Sequence, residues 1–174
     1  MVPEIKKILF TTNLSPNMRT AFDYAVSLAD RYSGVITVLH VMEEVSPSSD
    51  VHIKTFLGEE QWQELQKSHE QEAKQILIGK RREGAMIKAA LEEFCAAAQK
   101  DHDECEIMTD ETIVTRGNVV DEILRVSTDK QCDLIVMGYH DRGKFGEAVL
   151  GSTTRRVLRR SQIPVMLVRI PEAE

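Results

Sequence analysis

Two stretches of this chain, Val35-Ile36-Thr37-Val38-Leu39-His40-Val41 and Leu134-Ile135-Val136-Met137, are apolar without a two-residue period. A strand with one wet face alternates apolar and polar residues, whereas a strand covered on both faces does not. Such strands belong to parallel sheets, and helical patterns stand between them here. Ala21, Phe22, Ala25, Leu28 and Ala29 mark one face of a helix between a first strand opening at Ile8-Leu9-Phe10 and the second at Val35. Ser15-Pro16 supplies an N-cap and a first-turn proline for that helix. A short third strand at Ile113-Val114, a turn at Gly117-Asn118 and a helix buried through Val120, Ile123 and Leu124 follow. Asp133 to Met137 is the fourth strand, Ser152 to about Arg160 a helix, and Pro164 leads into a last strand from Val165 to Arg169. Alternation of this kind builds right-handed βαβ units around an open parallel sheet with helices on both faces.

The connection between the second and third strands, residues 42–110, far exceeds the dozen or so residues that a parallel crossover needs. Ser46-Pro47-Ser48-Ser49-Asp50 reads as a loop. Trp62, Leu65, Ala73, Ile76 and Leu77 predict an amphipathic helix from about Gly58 to Ile78, and Ile87, Leu91, Phe94, Cys95 and Ala98 continue the spacing in a second. Gly79 and Gly84 bracket a charged joint, Lys80-Arg81-Arg82-Glu83, expected to separate or kink the two. Amphipathic spacing usually reports packing, so the extended helical crossover is read as cover for the core, with a lid over a site as the alternative.

Composition bounds the partners. The 174 residues carry a formal net charge of −6, which argues against nucleic acid, whose phosphates attract basic surfaces. Three cysteines, Cys95, Cys105 and Cys132, with no C-x-x-C pair, exclude a disulfide framework or zinc ribbon and read as reduced thiols. No signal-peptide apolar region and no run of transmembrane length is present, so the expectation is one cytoplasmic domain, 1–174, with no membrane partner.

Gly138 closes the fourth strand, and thirteen positions later Gly151-Ser152 opens a basic segment. A buried strand, a glycine turn, a loop and the backbone amides of a helix start form the layout of an anion cradle. The spacing from Gly138 to Ser152 resembles the signature G-x2-G-x9-G-[ST] of the universal stress proteins, with Asp141 in the place of its second glycine. Lys7 to Ser15 resembles the opening strand and turn of that family, Leu39-His40-Val41 its second strand end, and Gly117 to Ile123 its glycine turn into a helix. The resemblance implies an adenine nucleotide alpha hydrolase-like α/β fold: an open five-stranded parallel sheet of order 3-2-1-4-5. In such a sheet strands one and four adjoin at a topological switch point, where open α/β sheets bind ligands.

The same resemblance implies an ATP site, with Thr11, Thr12, Asn13 and Val41 on the adenine and ribose side, and Met137, Gly138, Asp141, Gly151, Ser152 and Thr153 toward the phosphates. Ser152 could also cap its helix. Asn13 stands where nucleotide-binding relatives have aspartate; asparagine keeps an acceptor oxygen and adds an amide donor. It is also an ordinary turn residue. Asp141 would repel phosphate unless a divalent cation such as magnesium lay between them. Arg155 and Arg156 oppose the helix dipole in the first turn, a conflict that a bound anion would ease. No P-loop is present, no acid-base or nucleophilic constellation emerges, and His102, Asp103 and Cys105 lack the paired spacing of a zinc site. The expectation is an ATP-binding regulatory module in stress response, with at most slow hydrolysis. It would be a homodimer through Val165–Arg169 and act on an unidentified protein partner. The alternatives are a nucleotide-free dimeric interaction module with a degenerate crevice and, third, an ATP-dependent enzyme.

Overall fold

The computed structural model describes residues 2–15, 17–43, 49–73, 79–102, 109–140 and 150–171. In chain order the elements are β1 (Lys7–Thr12), α1 (Arg19–Tyr32), β2 (Val35–Met42), α2 (Ser49–Leu57), α3 (Glu59–Ala73), α4 (Gly79–Asp101), β3 (Thr109–Arg116), α5 (Val119–Asp129), β4 (Leu134–His140), α6 (Ser152–Arg160) and β5 (Val165–Ile170). The strands form one five-stranded sheet of order β3-β2-β1-β4-β5, all pairs parallel. Both the order and the placement of helices on both faces match the expectation.

Side chains that alternate across the strands feed two cores. Ile8, Phe10, Ile36, Val38 and Val136 pack with α1 and the crossover helices, while Leu9, Leu39, Val41, Ile135 and Met137 pack with Val120, Ile123 and Val126 of α5 and Val157 of α6. An aromatic chain ties the crossover to the sheet on the first face. Phe10 and Phe22 lie 5.1 Å apart, Phe22 and Phe94 5.1 Å, and Phe94 and Phe56 4.7 Å between ring centroids. Ile53, Leu57, Trp62, Leu65, Leu91 and Ala98 are buried in that core, so the long connection covers the sheet. No helix among the described residues is long and apolar enough to cross a membrane.

Several boundaries depart from the sequence reading. Helix α1 begins at Arg19 with Met18 at its N-cap and no side-chain cap, rather than at a Ser15 cap, because Asn17 takes a left-handed conformation (φ 63°) that delays the helix. Pro16 lies outside the described residues. Ser49 and Asp50, read as loop, open α2, and Gly58 (φ 86°) separates α2 from α3. Helix α4 runs unbroken through the charged joint and Gly84, where a joint was expected. A Cβ at Gly84 would sit 3.4 Å from Met42 Cε, an ordinary contact, so the helix packs beside the end of β2. Ile76 and Leu77 lie outside the described residues. Strand β3 is eight residues long, not two, and its exposed Asp110 and Glu111 are charges of the kind that guard a sheet edge.

The opposite end of the sheet from its carboxyl edge is fastened by one side chain. Asp133 Oδ2 accepts the backbone N–H groups of both Lys6 and Lys7 at 2.8 Å, and Asp133 N–H donates to Lys7 O at 2.7 Å.

Candidate functional site

Strand β1 pairs with β2 on one side and with β4 on the other, so the chain leaves β1 and β4 in opposite directions and a crevice opens above their ends. Thr11 and Met137 are register partners across that junction. A cavity of about 350 Å³ occupies the crevice, at the lower end of the usual range for small-molecule sites. Its floor is formed by the strand ends and the loop after β1, notably Thr11, Thr12, Asn13, His40, Val41 and Met137. Helix α6 contributes Thr153 and Thr154, α5 Val119 and Ile123, and α4 Glu83 and Ile87.

The loop after β1 is held in a specific shape. Thr12 Oγ1 accepts the N–H of Leu14 at 3.1 Å, and Asn13 Oδ1 accepts the N–H of Ser15 at 3.1 Å, an Asx turn. The bond fixes the amide orientation of Asn13: its oxygen serves the turn, and the group left for other contacts is the Nδ2 donor. Leu14, also lining the cavity, is buried at a positive φ of 58°, a conformation that costs a non-glycine residue about 1–3 kcal/mol. Ser15 Oγ and His140 Nε2 share a 3.0 Å hydrogen bond that joins this loop to the end of β4. On the other flank Thr12 O accepts a 2.8 Å hydrogen bond from His40 Nδ1, which links the ends of β1 and β2.

Helix α6 presents its N-terminus to the crevice. Gly151 is the N-cap, with no side-chain cap bond and no acidic residue in the first turn. The first-turn amides of a helix point out of its end with a partial positive charge, and uncapped they suit an anion. Ser152 is the first helical residue and exposed, so the capping role expected for it is taken by the glycine before it. Among the described residues a Cβ at Gly151 would meet nothing within 4 Å, and its φ of −57° is ordinary, so none of them requires glycine there by packing. Gly138 differs. A Cβ there would lie 2.8 Å from Ile170 Cδ1 and Cγ1 and 2.9 Å from Met18 Sδ, so this glycine admits buried side chains of β5 and of the α1 N-cap.

At the far end of the crevice, Arg116 Nη2 donates to Glu83 Oε2 at 3.0 Å and lies 3.7 Å from Met42 Sδ, which ties α4 to the ends of β3 and β2. The turn after β3 is braced in turn. Thr115 Oγ1 donates to Glu122 Oε2 at 2.7 Å, and the Arg125 guanidinium, with that hydroxyl, holds the Glu122 carboxyl below its ordinary range.

Of the residues expected at the site, Thr11, Thr12, Asn13, Val41, Met137, Gly138 and Thr153 line the cavity together. Gly151 and Ser152 stand beside them at the start of α6 without lining it. Asp141 lies outside the described residues, as do Asp103 and Cys105. His102 hydrogen-bonds Asp23 at 3.1 Å. Among the described residues no cluster of three or more His, Cys, Asp or Glu could hold a metal ion. Sequence reasoning missed His40, Glu43, Glu83 and Ile87. Glu83 and Ile87 were beyond its reach, because nothing local says that α4 leans over the sheet edge.

The sequence model of the universal stress protein family matches residues 4–169. The chain belongs to this family. A universal stress protein of Methanocaldococcus jannaschii is 27% identical over 172 residues, covering 94% of each chain. YxiE, a universal stress protein of Bacillus subtilis, is 29% identical over 164 residues, covering 94% of this chain and 98% of its own. Among solved structures, the universal stress protein UspA from Lactobacillus plantarum superposes with a TM-score of 0.59 at 19% identity, covering 97% of this chain and 100% of its own. A universal stress protein crystallised in complex with cAMP superposes at 0.53 and 18% identity over the same shares. These two share the universal stress protein fold with the present chain.

Proposed function

We propose that this universal stress protein binds ATP in the crevice and acts, as one cytoplasmic domain of residues 1–174, as a nucleotide-responsive regulatory module in stress response. The observation that carries the reading is a small-molecule-sized cavity at the β1/β4 switch point, bordered by the uncapped N-terminus of a nine-residue helix. The residues fit the ligand. Phosphates suit the amides of Ser152, Thr153 and Thr154, the hydroxyls of Thr11 and Thr12 and the Asn13 amide suit ribose, and Val41 borders the base. Gly151, whose Cβ would meet none of the described residues within 4 Å, leaves the backbone approachable. A relative crystallised with cAMP supports an adenine nucleotide as the ligand class. When bound, ATP supplies a removable polyanion; this chain orients it and responds to it, and any hydrolysis is slow. Magnesium beside Asp141 would offset the repulsion between that carboxylate and phosphate.

The module works as a homodimer. Strand β5 ends the sheet, and an unpaired edge needs a partner, which a twofold copy of Val165–Arg169 supplies. Light scattering at micromolar concentration should return twice the 19.7 kDa chain mass; a monomer mass removes this part of the proposal. A further protein partner receives the signal.

A second reading, a nucleotide-free dimeric interaction module, draws on Gly138 and Asn13. The glycine is accounted for by packing against Ile170 and Met18, and the Asn13 oxygen is committed to a turn. Mass spectrometry of nucleotide released on denaturing freshly purified protein, with calorimetric titration of ATP, separates the two. ATP in the released fraction or micromolar binding supports the first; neither, with or without magnesium, leaves the second.

A further inference from the structure

Two buried hydroxyls in the crevice have no partner among the described residues. Thr11, near the end of β1, and Thr154, in the first turn of α6, are 6% and 7% exposed, and both line the cavity. Neither Oγ1 atom makes a hydrogen bond to those residues, whereas Thr12 beside them commits its own to the Leu14 N–H. Among the same residues no side-chain oxygen or nitrogen that is shut off from solvent lacks a partner, so the two unbonded hydroxyls open onto the cavity they line. Folds pair their buried polar groups, and a hydroxyl left unmet inside a cavity of small-molecule size points to a partner that arrives there. Along the first turn of α6 burial rises with each residue: Ser152 is exposed, Thr153 half-buried and Thr154 buried. Ser152 stands outside the cavity and Thr154 within it, so the Thr154 hydroxyl is the deeper of the two.

We infer that the Thr154 hydroxyl is a ligand contact, donating a hydrogen bond to the phosphoryl group nearest the nucleoside. The inference rests on the nucleotide-binding reading given above. The uncapped amides of the nine-residue helix draw phosphates to its N-terminus, where no first-turn carboxylate opposes them. The outer phosphates of a longer chain then meet the exposed end of the helix at Ser152, and the inner one, held in the cavity with the nucleoside, meets Thr154. The chemistry matches at that atom: a hydroxyl can donate, an ionised phosphoryl oxygen only accepts, and a hydrogen bond to a charged oxygen is the stronger kind. Thr11, on the strand side of the cavity, keeps the ribose role given to it above. Because every 5′-nucleotide carries the inner phosphoryl group, AMP, ADP and ATP share the contact.

The test compares calorimetric titrations of AMP, ADP, ATP and the 2′- and 3′-deoxy forms of AMP into the full chain, Thr154→Val and Thr154→Ser, with thermal melts of the free proteins. Valine keeps the shape and removes the hydroxyl; serine keeps the hydroxyl. Thr154→Val should weaken AMP, ADP and ATP by the same factor, at least about tenfold, the loss expected of one hydrogen bond to a charged group. Thr154→Ser should stay within about threefold of the unaltered protein for all three. The free Thr154→Val protein should melt at or above the unaltered midpoint, because in the empty crevice the hydroxyl has no protein bond to lose. A lower midpoint would show that the hydroxyl serves the fold and overturns the inference. A loss confined to ADP and ATP would put Thr154 on the outer phosphates, and a changed ratio of AMP to either deoxy form would put it on the ribose. Each of these results, like affinities unmoved by valine, overturns the inference and leaves the function standing. No binding of any nucleotide by the unaltered protein overturns both.

Discussion

Gly138→Ala separates packing from ligand approach at the first glycine of the motif. The added methyl carbon would lie 2.8 Å from two carbons of Ile170 and 2.9 Å from Met18 Sδ, well inside contact distance. Both neighbours are buried, Ile170 at 1% exposure and Met18 at 2%, so the methyl is accommodated only by shifting side chains inside the core. Overpacking a filled core costs about 1–3 kcal/mol. Replacing a strand glycine with alanine returns about 0.5–1 kcal/mol of backbone entropy, which leaves a net loss of about 1–2 kcal/mol. In a chain of this length each kcal/mol lowers the melting midpoint by about 2–4 °C, so a fall of about 2–8 °C is expected by differential scanning calorimetry. Ile170→Val removes one of the clashing carbons, and the alanine should therefore cost about 0.5–1 kcal/mol less in that background than alone. A midpoint that is unchanged or raised in Gly138→Ala would refute the packing account, the more so if ATP affinity collapsed at the same time.

Gly151→Val puts a branched side chain into open space at the mouth of α6: it should cost no more than about 1 kcal/mol of stability and at least tenfold in ATP affinity, and unchanged calorimetric affinity in the folded variant would make the loop structural only. ATP binding by the unaltered chain should depend more on magnesium than binding by Asp141→Gly, because two unit charges about 4 Å apart repel by roughly 4 kcal/mol at an effective dielectric near 20; identical responses to a chelator would show that Asp141 does not meet the phosphates. Burial pushes the Cys95 and Cys132 thiols up from 9.0 to about 11. Below pH 9 both are neutral in folded and unfolded chains alike, and as the pH rises toward 11 only the unfolded chain ionises, so stability should fall across that window. In a Cys105→Ser variant the native thiols should resist alkylation at pH 8 and react promptly in urea; equal rates would contradict their burial.

The parallel core was legible because burial on both faces erases the two-residue period, and 35–41 and 134–137 show that directly. Edge strand β3 was underread for the complementary reason: with Asp110 and Glu111 exposed, only Ile113-Val114 carried an apolar signal. The Ser15-Pro16 signal misplaced the start of α1 because Ser15 is drawn to His140, 125 residues away, and Asn17 adopts a left-handed turn. Glycine reads ambiguously. Gly84 looked like a break and lies inside a continuous helix, whereas Gly138, expected beside the phosphates, lines the cavity and also makes room for Ile170. A missing side chain has the same spelling whatever fills the space. The floor of the crevice was recoverable because it is made of strand ends with motifs; its α4 wall comes from tertiary packing that no local pattern encodes.

The double acceptance by Asp133 makes the sheet behave like a clothes peg. Both consecutive amides at the foot of β1 are clasped by one carboxylate at the foot of β4, while the jaws, Thr11 and Met137, stand some four residues and about 13 Å higher. Pressure between the jaws can splay the two strands, but it cannot slide them: a slip of one residue would break two bonds at the spring and turn every side chain on β4 to the wrong face. Asp133→Ala should thus loosen the alignment of the crevice from its far end, with no group near the ligand altered. The alignment that sets Thr11 opposite Met137 is guarded from the end of the sheet where no ligand goes.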